Sequence, residues 1–223
     1  MQLTNAFFYI IILMLSVIIH EVAHGFMAYR QGDPTAKMAG RLTLNPLKHI
    51  DLVGTILLPL FLVLTNAGFL FGWAKPVPYN PNNLRNPRMG KFLVSVAGVA
   101  MNILIAIVFS ILIRFLPSMS FLSSTTYASI LDISVLIVSI NLLLAIFNLL
   151  PVPPLDGSRI LFAILPAKFA RQEAFLERYS LIILIAFVYF GWRIIAPVVL
   201  PITTFFTGIP MQKIFEILMR LLP

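Results

Sequence analysis

Cysteine is absent from the 223-residue chain, which removes disulfides, thiolate metal ligands and a thiol nucleophile together. Charge is scarce as well: charged residues are 11% of the total against 60% hydrophobic, and mean hydropathy is +0.97. Ordinary soluble domains do not show this balance, and the chain reads as an integral membrane protein. A net charge of +8 invites a nucleic-acid reading. The basic residues, however, fall in short loops between apolar runs, where they act as topology signals and contacts to anionic lipid. The expected surroundings are therefore a bilayer, with no nucleic acid. Internal repeats, low-complexity tracts and a soluble regulatory domain are also missing, so residues 1–223 are expected to form a single membrane domain. The first apolar run is too long for a signal-peptide core and has neither a basic leader nor a small-residue cleavage site, which makes it mature structure.

With only three histidines and eight acidic residues, any polar site has to be assembled from few parts. His20-Glu21-Val22-Ala23-His24 uses three of them, near the inner end of that first run. Positions i and i+4 share a helix face, so the two imidazoles can hold one ion with Glu21 just beside them. This is the zinc-hydrolase spacing, in which the carboxylate serves as general base toward water. A catalytic zinc usually takes three protein ligands. The remaining candidates are His49 and the carboxylates Asp33, Asp51, Asp132 and Asp156. Asp156 stands out because it follows a long apolar run and sits in Asn148-Leu-Leu-Pro-Val-Pro-Pro-Leu-Asp-Gly157, where prolines break the helix and glycine permits a tight turn.

The expected architecture is an all-α polytopic membrane protein. Spans are expected at about 4–29, 92–116, 128–150 and 180–200, each near the roughly 20 residues that a bilayer requires. Residues 52–64 are too short to cross, and basic loops lie on both sides of them, so they are read as re-entrant or interfacial. Parity agrees: were 52–64 to cross, Asp156 would arrive at the opposite face from His20 and His24. The tail 210–222 reads as an amphipathic helix, lying either in the interface or against the bundle. Arg41, Thr43 and Asn45 alternate with Leu42 and Leu44, which predicts a short strand on the cytoplasmic side. The segment Pro76-Val77-Pro78-Tyr79-Asn80 is a second extended stretch whose edge offers a substrate a place to add by β-pairing.

HExxH on a membrane helix, followed by Asn-x-x-Pro-x-Pro-x-Leu-Asp-Gly after a later one, resembles the site-2 protease family of intramembrane zinc metalloproteases (peptidase family M50), in a compact form without a PDZ domain. The resemblance covers about residues 5 to 165 and takes in Gly40-Arg41-Leu-Thr-Leu-Asn-Pro46, Gly72-Trp-Ala-Lys-Pro-Val-Pro78, and Gly98 with Asn102. Members often read Gly-Pro-x-x-Asn at the last of these, where this chain has Val99. The resemblance implies a three-helix catalytic core plus one further span. It implies Zn²⁺ held by His20, His24 and Asp156, Glu21 as general base and Asn148 as donor to the oxyanion, with Asn102, Val77 and Pro78 toward the substrate. It further implies hydrolysis within or beside the transmembrane segment of a membrane-anchored protein.

Two other classes bear on the same residues. A non-catalytic binder of transmembrane segments would have no chemical need for Glu21 together with three ligands. A zinc transporter places its ligands near the midplane with routes to both faces, whereas here they gather toward one face. A prokaryotic inner membrane with the site on its cytoplasmic side is the expected location. His49 and Asp51, as loop residues at a membrane surface, are expected to be solvated rather than to orient the ligands.

Overall fold

The structure is a computed structural model in which residues 2–65 and 72–221 are described. Every regular element among the described residues is helical. Helix α1 (Gln2–Arg30) ends where Gly32, with φ of 105°, and Pro34 stop it. A single turn, α2 (Thr35–Met38), follows. A π-helical run over Leu52–Leu57 then leads directly into α3 (Leu58–Leu64).

Helix α4 (Pro87–Phe115) starts on Asn86, whose side chain accepts from the Met89 amide at 3.0 Å, with Pro87 in the first turn. Helix α5 (Ser124–Leu149) starts on Ser123, which accepts from Thr126, and gives way at Leu150 to extended backbone and three prolines. Short helices α6 (Asp156–Ile164) and α7 (Ala170–Arg178) precede α8 (Ser180–Thr207). Gly208, at φ of 74°, then turns the chain into α9 (Met211–Leu221).

Three helical segments, Phe8–Arg30, Pro87–Ser118 and Ser124–Leu149, are long and apolar enough to cross a membrane. Pro197–Thr207 and Met211–Leu221, bent by 110°, make a fourth when counted together. The chain is thus an integral membrane protein with three to four candidate spans.

Helix α4 lies between α1 and α5. Its buried face carries Gly90, Ser95, Gly98, Ala106 and Ser110, small residues that let neighbouring helices approach where lipid offers no hydrophobic drive for association. Ala106 and Ile113 pack with Val135, Val138 and Leu142 of α5, and Ile214 and Ile217 of α9 close the same cluster. The tail helix therefore caps the bundle through one apolar face, while Met211, Phe215 and Met219 remain exposed on another. Leu222 lies outside the described residues.

An arginine near each end of α4 holds the end of another helix. Arg88 donates to the carbonyls of Ala163 (2.6 Å), Ile164 (2.6 Å) and Leu165 (2.8 Å) at the end of α6. Arg114 donates to Phe206 (3.0 Å) and Phe205 (2.9 Å) at the end of α8. Carbonyls that the helices cannot satisfy internally are thereby paired.

The expected strands are absent among the described residues. Gly40 takes a left-handed φ of 62°, Leu42 and Thr43 form a bend and Arg41, Leu44 and Asn45 are without regular structure, because the Arg41 guanidinium draws this loop onto neighbouring backbone. Residues 76–80 are without regular structure. Pro76 and Pro78 have no N–H, and the Val77 and Asn80 amides go to the side chains of Glu21 (2.9 Å) and Asp33 (2.6 Å) instead of to a strand.

Asp33 fastens the loop region to the end of α1. It is fully buried and accepts from the Thr35 amide and hydroxyl, the Asn80 amide and the Asn83 side chain at 2.5 to 3.1 Å. Burial alone would raise its pKa, but these hydrogen bonds to the charged form outweigh it and hold the carboxyl below its ordinary value. The stabilisation is therefore complete above the unfolded-state value of about 3.9 and is lost as pH falls through the lower folded value. Asp33→Ala is expected to lower stability by about 1 to 3 kcal/mol at neutral pH and to convert the loop containing residues 80–83 into a site of limited proteolysis. Thermal unfolding in detergent checks this, and an unchanged midpoint at pH 7 would contradict it.

Candidate metal centre

His20 and His24 lie in the C-terminal third of α1, one turn apart and both buried. Their Nε2 atoms are 2.9 Å apart. Nδ1 of His24 lies 2.7 Å from the Val94 carbonyl of α4. A carbonyl can only accept, so Nδ1 carries the proton and Nε2 presents its lone pair. The partner that orients this ring is thus backbone on α4, whereas His49 and Asp51 are engaged elsewhere.

Asp156 opens α6, and its Oδ2 lies 3.2 Å from each histidine Nε2. That oxygen is buried and has no hydrogen-bond partner. The three atoms form a triangle with edges of 2.9, 3.2 and 3.2 Å. Ligand atoms around a tetrahedral zinc, at bonds of about 2.0 to 2.2 Å, stand about 3.3 to 3.6 Å apart, so the two aspartate edges are close to that spacing and the histidine edge is a few tenths of an ångström shorter. The donor set and its spacing are close to what a zinc ion takes, and a shared cation would relieve three polar atoms that face one another in a buried site.

Two glycines make this convergence possible. A Cβ at Gly98 would lie 2.5 Å from Cε1 and Nε2 of His24 and 2.6 Å from Cε1 of His20. A Cβ at Gly157 would lie 2.1 Å from the Leu149 carbonyl oxygen and 2.4 Å from that of Leu150. The first glycine admits the imidazoles against α4. The second lets α6 start directly on the backbone at the end of α5, which carries Asp156 toward α1.

Glu21 is half-buried beside the pair, with ligand-type atoms of His20, Glu21 and His24 all within 4.8 Å of one another. Its Oε2 accepts from the Val77 amide at 2.9 Å, and Val77 is itself buried. Pro78 follows in the same segment, which has no regular structure.

Asn148 stands in the last turn of α5, and its Nδ2 donates to Leu144 of its own helix at 3.0 Å. Asn102, one turn beyond Gly98, is fully buried, and neither of its amide atoms has a partner. The other acidic candidates are occupied elsewhere. Asp33 serves the loops, Asp51 accepts from Val53 and Gly54 at the start of the π-helical run, and Asp132 pairs with Arg220 near the start of α5. His49 is buried rather than solvated, with Nε2 2.8 Å from the Thr43 carbonyl. The expectation of a solvated loop histidine is corrected accordingly, since the loop folds back over it.

Comparison with known proteins places the chain in a family. The model of peptidase family M50 matches residues 8–190. "Putative zinc metalloprotease YwhC" of Bacillus subtilis (strain 168) is 39% identical over 175 residues, covering 78% of this chain and 76% of that protein. "Putative zinc metalloprotease Rip2" of Mycolicibacterium smegmatis is 32% identical over 148 residues, 65% of this chain and 52% of that protein. Zinc metalloprotease MJ0392 of Methanocaldococcus jannaschii is 26% identical over 159 residues, 71% and 34% respectively. No solved structure matches the chain. The family match extends over most of the sequence and includes the histidine pair and Asp156, and the chain belongs to peptidase family M50, the site-2 protease family of zinc metalloproteases.

Proposed function

We propose that this zinc metalloprotease hydrolyses peptide bonds within or next to the transmembrane segments of membrane-anchored proteins. In this reading His20, His24 and Asp156 hold the metal. The observation that carries it is the triangle of lone-pair atoms set beside Glu21 at the end of a membrane helix. Zinc bound there supplies Lewis-acid chemistry, polarising a peptide carbonyl and acidifying the attacking water.

Glu21 takes the proton from that water as its oxygen adds to the carbonyl carbon, and returns it to the amine nitrogen as the C–N bond breaks. Asn148 is assigned the oxyanion, its amide exchanging the bond to Leu144 for one to substrate. Asn102, buried and unpartnered one turn from Gly98, is assigned a contact to substrate backbone. Val77 and Pro78 are assigned to the same peptide through their carbonyls, since the Val77 amide is held by Glu21. A helical substrate must unwind locally to offer its carbonyls, which are otherwise hydrogen-bonded i to i+4.

The chain is read as one membrane domain in which residues 52–64 are re-entrant or interfacial and do not cross the bilayer. Basic residues Arg30, Lys37, Arg41, Lys48, Lys75, Arg85 and Arg88 crowd the end of the bundle that holds the site. That charge supports a cytoplasm-facing site in a prokaryotic inner membrane.

Glu21→Gln keeps the size and polarity of the side chain and removes the base. Cleavage of a membrane-anchored substrate is expected to fall by about 100-fold or more with zinc content unchanged. Full activity in the variant, or zinc flux without cleavage, would contradict the reading. Gly157→Ala forces Asp156 away from the histidines and is expected to cost about 1 to 3 kcal/mol of stability and to weaken zinc retention during dialysis. Retention equal to wild type would show that the close approach of α6 to α5 does not set the site.

A further inference from the structure

Arg41 is 9% exposed, an unusual state for an arginine without a carboxylate beside it. Its guanidinium donates to three backbone carbonyls, those of Lys48, Lys75 (2.8 Å) and Pro76 (3.3 Å). A planar fork with five donors suits this task of holding two chain segments at once. The loop is further fixed by the Lys75 amide on the His49 carbonyl at 2.9 Å.

The residue after the held carbonyls is Val77. Between Lys75 and Tyr79 only Val77 has a backbone N–H, because prolines flank it on both sides. That one donor points at Oε2 of Glu21 from 2.9 Å. The side chains flanking the fork share one seat on α1. A Cβ at Gly25, one turn past Glu21, would lie 2.5 Å from Cγ1 of Val77 and 2.8 Å from Cδ2 of Leu42.

We propose that Arg41 is a positioning residue for Glu21, acting through the Lys75 and Pro76 carbonyls to aim the Val77 amide at the carboxylate. The inference rests on Glu21 being the general base. With Oε2 pinned, the long side chain loses rotamer freedom before substrate arrives and Oε1 is the oxygen the Val77 amide leaves unengaged, so the base is set in place before reaction rather than during it. The loop motifs Gly40-Arg41 and Lys75-Pro-Val-Pro78 thereby act on one catalytic atom.

The test is a set of variants of the full-length protein in detergent or vesicles, with kcat, KM and zinc content measured on one membrane-anchored substrate. Arg41→Ala is expected to lower kcat about 10- to 100-fold, with zinc content and KM each within about twofold. Arg41→Lys, which serves fewer carbonyls at once, should fall between. Val77→Pro deletes the donor N–H together with the valine side chain and should reproduce the kcat loss even if Arg41→Ala fails to fold, whereas Val77→Ala, which keeps the N–H, should not.

The double variant Arg41→Lys with Val77→Pro should be no slower than Val77→Pro alone, since both changes break one chain of contacts. A merely structural Arg41 would give losses that multiply. Multiplying losses, a loss confined to KM, depleted zinc, or kcat unchanged in Val77→Pro would each overturn the proposal. Glu21→Gln in the same assay separates the two levels: an active Glu21→Gln sinks the general-base reading itself, whereas an inactive one beside a fully active Val77→Pro sinks only the role of Arg41.

Discussion

Two imidazole nitrogens and one carboxylate oxygen face one another at 2.9 to 3.2 Å in a buried site, an arrangement that is costly without a cation and favourable with one. Much of the surrounding structure brings these atoms together. The histidines need only one helix. The aspartate comes from 132 residues further along than His24, and several features bring it into range: α4 between the other helices, Gly98 leaving space for the rings, Gly157 seating α6 on the end of α5, and Arg88 fixing the far end of α6. A polar site inside a membrane bundle is thus placed by backbone contacts and small residues rather than by a hydrophobic core.

Much of this was legible in the sequence. HExxH on an apolar run sets two imidazoles and a carboxylate side by side by helical geometry alone, because i and i+4 share a face. Asp156 was visible for a different reason. Its prolines and glycine mark a helix end of unusual chemistry, and a carboxylate at such a place near the membrane needs a partner. Helices α1, α4 and α5 follow from apolar runs of spanning length interrupted by proline, asparagine and serine caps.

What the sequence hid were choices of partner across long separations. Alternating residues at 41–45 predicted a strand, but a guanidinium that reaches residues 75 and 76 decides the conformation of that loop. The segment 76–80 was expected to offer a free edge. Its amides are instead taken by Glu21 and Asp33, residues 56 and 47 positions away. His49 was expected in solvent and is buried for the same reason, since the loop that holds it is folded back by Arg41. No periodicity encodes such contacts. A lone buried arginine among carbonyls becomes intelligible only once both loops are seen together.

Whether two motifs far apart in sequence form one zinc site is decided by the metal content of the purified protein beside its Asp156→Ala variant. About one zinc per chain is expected in the wild type, with the metal lost or greatly weakened in a variant that stays folded. Equal zinc content and equal affinity in the two would contradict the account, because the histidine pair would then hold its metal without the residue that the whole bundle is arranged to deliver.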